Sequence, residues 1–416
     1  MKILTYGLNY APELTGIGKY SSELCEWLAG RGHTVEVVTA HPYYPTWVLA
    51  EGYDNRSYQH EIRNQVKVRR CPLFLPRIVP TGKRGRIMSH ASFAISSIPK
   101  LMASVRQLRP DILLAVTPSF LIAPAALAVS RMFGTPSWLH IQDFELDAAF
   151  ELGMLEGNHL RRAAMSVESA ILRQFDRVST ISPRMMDRLH AKGAPPKSTV
   201  KFRNWVDTDA ISPADRRTRF REQLGLSDRH IVALYAGSIA AKQGIESLAE
   251  AAAELQAKVP EVVFVFCGGG ASLKHLVKIT APLCNVRFLD LQPDERMREL
   301  LATADIHLIP QRAEVSDLML PSKLAPILAS GRPAVAMAYP GTQLATEIEG
   351  AGIAVPPSDR HALSEAISKL ARDPGLRMRM GEQARALACA RWRKETILNE
   401  FEARLIEVAG RGRKDD

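Results

Sequence analysis

The chain has 416 residues, of which 46% are hydrophobic and 24% charged, with a mean hydropathy of -0.08 and a formal net charge of +10. That composition excludes disorder, collagen and low-complexity scaffolds, and the length suits two domains of roughly 200 residues each. The excess charge is confined to the first half, where residues 1–204 hold 26 Lys/Arg against 16 Asp/Glu, while residues 205–416 hold 28 of each.

In chain order, short β-branched apolar runs predict strands at 2–6, 34–39, 66–71, 112–115, 137–141, 177–180 and 200–202. Helical periodicity lies between them, notably at 18–29, 86–107 and 160–174. The opening MKILTYG has no basic leader or long apolar stretch, so no signal peptide is expected. The 19 uncharged residues 112–130 are broken by Pro118 and Pro124, and read as a buried strand and helix instead of a membrane span. A second series of strands follows at 231–235, 262–266, 286–288, 306–309 and 334–336, and a final helix at 391–408. Strand–helix alternation of this kind predicts parallel sheets covered on both faces. The expected fold is α/β: two Rossmann-like domains facing a cleft, covering 1–204 and 205–388, with 389–416 packing back on the first. Five cysteines without metal spacing argue against disulfides or structural zinc and fit a reducing cytoplasm.

Ligands of open α/β sheets sit at the carboxyl ends of strands. After the first strand, Gly16 and Gly18 precede a helix and can bring amides close to a phosphate. A nicotinamide site would close its second strand with an acid for the ribose; here that strand ends in His41, so a dehydrogenase is excluded. The second domain opens with Gly237, Ser238 and Lys242 after a strand, a set able to grip a diphosphate by amides and one ammonium. Pro321-Ser322-Lys323 forms a third such turn. Asp207-Thr208-Asp209 spells DxD, but its place between the domains suits a turn, and no metal is assigned to it. His33 reads as a structural residue closing a helix–strand turn.

Residues 56–109 carry 12 basic residues and one acid, Glu61. Arg69, Arg70, Lys83, Arg84 and Arg86 stand among Phe74, Ile87, Met88, Phe93, Ile95 and Ile98. Cations beside apolar residues favour an anionic membrane surface, or an acceptor carried on a lipid diphosphate. No aromatic RNA-binding sheet, zinc finger or compact helix-turn-helix accompanies the charge, so nucleic acid is not the expected partner.

These motifs together resemble the retaining GT-B glycosyltransferases of family four, over essentially the whole chain. The likeness rests on the first glycine loop, LAGRGHTVEVVT, FRNWVDTD, YAGSIAAKQGIESL, FCGGG and NVRFLDLQP. Through YAPELTGIGKY, TAHPYYPTW, LHIQDFELDA and LPSKL the chain is similar to the colanic-acid-type (exopolysaccharide) fucosyltransferases. The resemblance implies a donor diphosphate held by Gly16 and Gly18 and by Ser238, Lys242, Ser322 and Lys323. It implies that Gly268, Gly269 and Gly270, with the backbone near Leu291, approach base and ribose. His140 and Asp143 would face the donor sugar and the acceptor hydroxyl. The expected co-substrate is a GDP- or UDP-sugar, fucose being the favoured sugar, with no other cofactor. The enzyme would lie in the cytoplasm, peripheral on the inner face of the cell membrane. One departure counts against this reading. The family's two glutamates would fall at Leu318 and Pro326, and Glu314 is out of register. The alternative is therefore a glycosyltransferase-fold binding protein with weakened catalysis.

Overall fold

The segment Ile112–Thr117, ILLAVT, is buried at every position, as a parallel strand covered on both faces must be. In the computed structural model, which describes residues 1–13, 16–76, 83–151, 157–240, 243–315 and 320–411, it lies inside an eight-stranded sheet. The chain divides into two compact units, Met1–Arg203 with Leu398–Asp416, and Asn204–Ile397. The return to the first unit therefore falls inside the last helix, Lys394–Arg411, and not at residue 389.

The first unit contains β1 (Lys2–Gly7), β2 (Thr34–Ala40), β3 (Gln59–Arg63), β4 (Val66–Cys71), β5 (Ile112–Thr117), β6 (Ser137–Ile141), β7 (Arg177–Thr180) and β8 (Thr199–Lys201). Their order is β3-β4-β2-β1-β5-β6-β7-β8, with only β3 antiparallel to its neighbour. The strand β3 was not foreseen: QHEIR is an edge strand with alternate residues exposed, so it has no apolar run to announce it. The helix expected at 86–107 is two helices, Lys83–Ser96 and Ile98–Leu108. Pro99 in the first turn of the second has no N–H to continue the ladder. At the break, the buried Ser97 hydroxyl meets the Tyr6 phenol at 2.7 Å.

Residues 112–130 form β5, a short turn at Phe120–Ile122 and most of helix Ala123–Met132. No helix among the described residues is long and apolar enough to cross a membrane. From the last helix, Phe401 stacks on Phe202 at 3.7 Å and meets Trp138 edge-on at 5.0 Å. His33 bridges the terminal amine (3.1 Å) and Glu402 (2.7 Å), which gives it the structural role its position suggested.

The second unit contains β9 (Ile231–Ala236), β10 (Val262–Cys267), β11 (Val286–Leu289), β12 (Ile306–Ile309), β13 (Ala334–Met337) and β14 (Gly352–Val355). All are parallel in the order β11-β10-β9-β12-β13-β14. Counted within the unit, this is the doubly wound 3-2-1-4-5-6 arrangement, whose order reverses between β9 and β12. A core of Tyr235, Phe264, Phe266, Leu248, Leu308 and Ile367 joins one sheet face to helices Glu246–Lys258 and Arg360–Arg372. The short edge strand β14 also escaped the sequence reading. A Cβ at Gly352 would lie 2.2 Å from the Ala334 carbonyl oxygen, so the pairing requires glycine.

Candidate donor site

The switch point of the second sheet lies between the carboxyl ends of β9 and β12, and the chain leaving each strand brings a predicted residue there. Gly237 follows β9 with φ +140°, and its amide donates to the Cys267 carbonyl at 2.9 Å. The Lys323 ammonium lies 3.8 Å from the centre of the Tyr235 ring. A Cβ on Gly237 would stand 3.1 Å from that nitrogen, so the missing side chain makes room for the cation. The Tyr235 hydroxyl donates to the Ser238 carbonyl at 2.5 Å, which ties the turn to the ring beneath the ammonium. Gly237, Ser238 and Lys323 therefore form one cluster. Ser322 is exposed beside it. Lys242 and the expected glutamate position Leu318 lie outside the described residues.

The glycines after β10 divide into two roles. Gly268 and Gly270, at φ +137° and +147°, would place a Cβ 2.1 Å from the Gly237 oxygen and 2.4 Å from the Ile239 oxygen. They are needed to let the two turns pack. The turns are then stitched by Ile239 N–H to Gly269 O (2.8 Å) and Ser272 N–H to Ile239 O (3.0 Å). Gly269 alone has nothing within 4 Å of a built Cβ, and is the glycine open to an approaching ligand. The Gly268 amide donates to Leu289 O at 3.0 Å, which brings the half-exposed Leu291 to the same edge. Pro326 occupies the buried short helix Leu324–Ala329.

In the first unit, Gly16 opens helix Gly16–Gly30 with φ +62°. Gly18 is buried, and a Cβ there would lie 2.8 Å from Glu13 Oε2. Glu13, which the sequence reading did not single out, is the organiser of this loop. It accepts from Tyr43 N–H (3.1 Å), Tyr44 N–H (3.0 Å) and Asn9 Nδ2 (2.9 Å). Burial pushes its pKa up to about 7, with those hydrogen bonds and Arg70 opposing. Its only sequence signal was an acid five residues before Gly18 in an otherwise uncharged turn.

His140 lies within β6 and is 2% exposed. Its ring donates from Nδ1 to Ser179 Oγ (2.9 Å) and accepts at Nε2 from the Gln142 amide (2.9 Å). Ser179 Oγ also accepts from Trp138 Nε1 at 2.8 Å. Burial lowers the His140 pKa to about 3, so the imidazole is neutral. Asp143 is half-buried, two residues beyond the strand. The following helix, Glu145–Glu151, is anchored by Asp147, which pairs with Lys192 at 2.8 Å and Arg188 at 3.4 Å. Lys192 is shared with Glu168 in the same buried network.

The basic stretch requires correction. Arg70 is wholly buried and faces no surface. It pairs with Glu61 at 2.5 Å, donates to the Ala40 and Ala11 carbonyls, and lies over the rings of Tyr10 and Tyr53. Arg69 is mostly buried against Glu36 and Gln107, each at 2.6 Å. Consecutive strand residues face opposite sides of the sheet, and an arginine on either covered side must bring its counter-acid inside; both do. Arg86 is half-buried over the Trp47 ring. Lys83 and Arg84 open helix Lys83–Ser96, but their side chains lie outside the described residues. The exposed groups of this region include the apolar Phe74, Ile87, Met88 and Ile95, the last 70% exposed, beside exposed Arg56, Lys67, Arg106 and Arg109. The DxD triplet is a turn, with Asp207 accepting from Asp209 N–H (3.0 Å) and Ala210 N–H (2.8 Å).

Two Rossmann-like units, the second with glycine turns and an ammonium at its switch point, define the class: a GT-B glycosyltransferase that uses a nucleotide-sugar donor. Residues 15–205 match the Glycosyl transferase 4-like domain, and residues 216–387 match the Glycosyl transferases group 1 domain. The chain belongs to this family of family-four-type glycosyltransferases. It is 38% identical over 412 residues to WcaI of Escherichia coli (strain K12), named as a colanic acid biosynthesis glycosyl transferase, covering 96% of this chain and 98% of that one. The fold is shared with sucrose-phosphate synthase of Thermosynechococcus elongatus, with TM-score 0.77 and 18% identity over 98% of each chain. It is also shared with Anabaena HepE solved with UDP, with TM-score 0.70 and 17% identity over 98% of this chain and 100% of that one.

Proposed function

We propose that this enzyme transfers fucose from GDP-fucose, with retention, to a lipid-diphosphate-linked oligosaccharide in exopolysaccharide assembly. The observation that carries the reading is the cluster of Gly237, Ser238 and Lys323 at the switch point of the second sheet. There the Lys323 ammonium, beside a glycine turn that leaves it room, can take up the charge that grows on a departing diphosphate. Lys242 and Ser322 would complete this grip, and Gly269 and Leu291 would border the base and ribose. The relationship to a protein named for colanic acid biosynthesis supports the exopolysaccharide setting.

The first unit would receive the acceptor. In same-face attack the donor phosphate takes the acceptor proton, so no protein base is needed. His140 suits that chemistry, since both ring nitrogens are engaged and the ring is neutral. Its proposed part is to hold Gln142 and the turn that carries Asp143. Membrane contact, at the cytoplasmic face, would be made through Phe74, Ile87, Met88 and Ile95, an apolar face beside Arg86.

Purified enzyme would be incubated with a panel of GDP- and UDP-sugars and a lipid-diphosphate acceptor, and nucleoside diphosphate release measured. GDP release with GDP-fucose alone is expected, and the product anomer would report retention. Lys323→Ala should lower kcat/KM by roughly 10²–10³, the usual loss for one such charge-stabilising donor. Absence of nucleoside diphosphate release with every donor would end the proposal; release with another sugar would keep the diphosphate site and discard fucose.

A further inference from the structure

The opposite, amino edge of the second sheet has a cavity of about 500 Å³ that none of the chemistry above uses. It lies where the chain enters β12 and β13, between Asp305, Arg332 and helix Pro374–Arg391. Arg216, Arg332, Arg377 and Arg385 line it, against only two acids, Asp305 and Glu382.

One of those acids is already committed. Asp305 takes Arg216 at 2.7 Å on one oxygen, and on the other takes Arg221 at 2.5 Å and the Val232 amide at 2.9 Å. The other three arginines form no ion pair among the described residues. Arg332 donates to Ala214 O at 2.9 Å, while its Nε is shut off from solvent with no hydrogen-bond partner. Arg377 donates to Leu370 O (2.5 Å) and Ala371 O (2.8 Å). Arg385 donates to Thr208 O (2.8 Å), Ile211 O (2.9 Å) and Ala329 O (3.0 Å).

Tethering carbonyls explains one arginine at a time. It does not explain why four guanidinium groups converge on one cavity lined by two carboxylates. Burial pushes the Arg332 and Arg377 pKa values down; attraction to Asp305 opposes this, and Arg216 adds a smaller repulsion to both. A buried donor left unpaired costs free energy, and so do like charges held together away from water. An anion in the cavity relieves both. Guanidinium forks match the oxygens of a phosphoryl group, and the volume falls in the range of small-molecule sites, larger than inorganic phosphate fills.

We propose that this cavity is a binding site for a small phosphate-bearing molecule of sugar-phosphate size, separate from the donor site at the carboxyl edge of the same sheet. Through Arg385 it touches the Thr208 and Ile211 carbonyls, in the segment by which the chain first enters the second unit. Ligand in the cavity is thus one side chain away from the interdomain connection.

The test is calorimetric titration of the full chain with ribose 5-phosphate and with inorganic phosphate, at ionic strength fixed with sodium chloride. Binding of ribose 5-phosphate is expected, weakened roughly tenfold or more in Arg332→Gln and in Arg377→Gln, the scale of one charge-assisted hydrogen bond. Lys323→Gln should bind as the parent does. Met378 lines the cavity and is 63% exposed, so Met378→Glu leaves the fold intact and sets a negative charge at the rim. It should weaken binding while Met378→Gln does not, which keeps the test decisive if an arginine variant fails to fold. Equal affinity for inorganic phosphate supports the site, as one that reads the phosphoryl group alone. No binding beyond the chloride control, binding lost in Lys323→Gln, or binding unchanged in Met378→Glu each overturns it.

Discussion

Replacing Glu13 by glutamine tests whether a buried carboxyl organises the first glycine loop. Glu13 is 5% exposed, and its pKa rises from 4.5 to about 7 because burial outweighs three hydrogen bonds and Arg70. Below pH 4.5 the native and unfolded chains both hold the proton. Between 4.5 and about 7 only the native chain holds it, so stability falls as pH rises through that window. At about 1.4 kcal/mol per tenfold change in proton affinity, the full loss is ~3 kcal/mol. Glutamine keeps an oxygen for the Tyr43 and Tyr44 amides, and Asn9 can turn its own amide to present an oxygen to the new NH₂. Glu13→Gln should therefore lose less stability than the parent between pH 5 and pH 8. Urea unfolding of the full chain across that range measures the difference, expected at about 2–3 kcal/mol. Glu13→Ala should be destabilised at every pH, by about 1–3 kcal/mol for each amide left without an acceptor. Parallel stability curves for parent and Glu13→Gln would refute the reasoning.

Gly268→Ala would force a Cβ to 2.1 Å from the Gly237 oxygen at φ +137°, and should cost at least about 1–3 kcal/mol in thermal or urea unfolding. Gly269→Ala, with open space around it, should keep the stability and show its effect only in donor KM. Lys192→Met leaves Asp147 and Glu168 buried without their shared cation; the expected loss is about 3–5 kcal/mol, and a chain of parental stability would disprove the network's role. Serine at Ile87, Met88 and Ile95 should weaken vesicle binding at high and low salt alike, as measured by co-sedimentation with anionic liposomes. Unchanged binding would remove the apolar face from the proposal.

The fold was legible because buried parallel strands are continuous apolar runs, and β1, β5, β9 and β10 could be read directly. β3 and β14 escaped because an edge strand satisfies only one side of its ladder and can be polar or very short. The donor cluster was legible in part. Gly237, Ser238 and Lys323 announced themselves as a glycine turn and a lysine near a helix start. Tyr235, which supports the ammonium, read as one more core residue of β9. Gly18 also looked like a phosphate glycine, and Gly268 like one facing base and ribose. Their neighbours show that they make room for protein: Gly268 for the Gly237 carbonyl, Gly18 for the Glu13 carboxyl. Sequence shows that a side chain is missing but not what fills its place.

The same ambiguity governs the charge. Arginine residues counted along 56–109 look like a surface for an anion, yet a strand position fixes the side of the sheet a residue faces, and Arg70 faces inward. Its counter-acid, Glu61, comes from β3, the strand that the sequence did not reveal, so the pair could not be recognised in advance. Arg69 is matched in the same way by Glu36 of β2. In the second unit the opposite holds. Residues 205–416 hold as many acids as bases, yet four arginines of the unit gather on one cavity against two acids. Net charge by region therefore pointed to the first unit as the place for an anion, and the pairing of individual side chains moves that expectation to the amino edge of the second sheet.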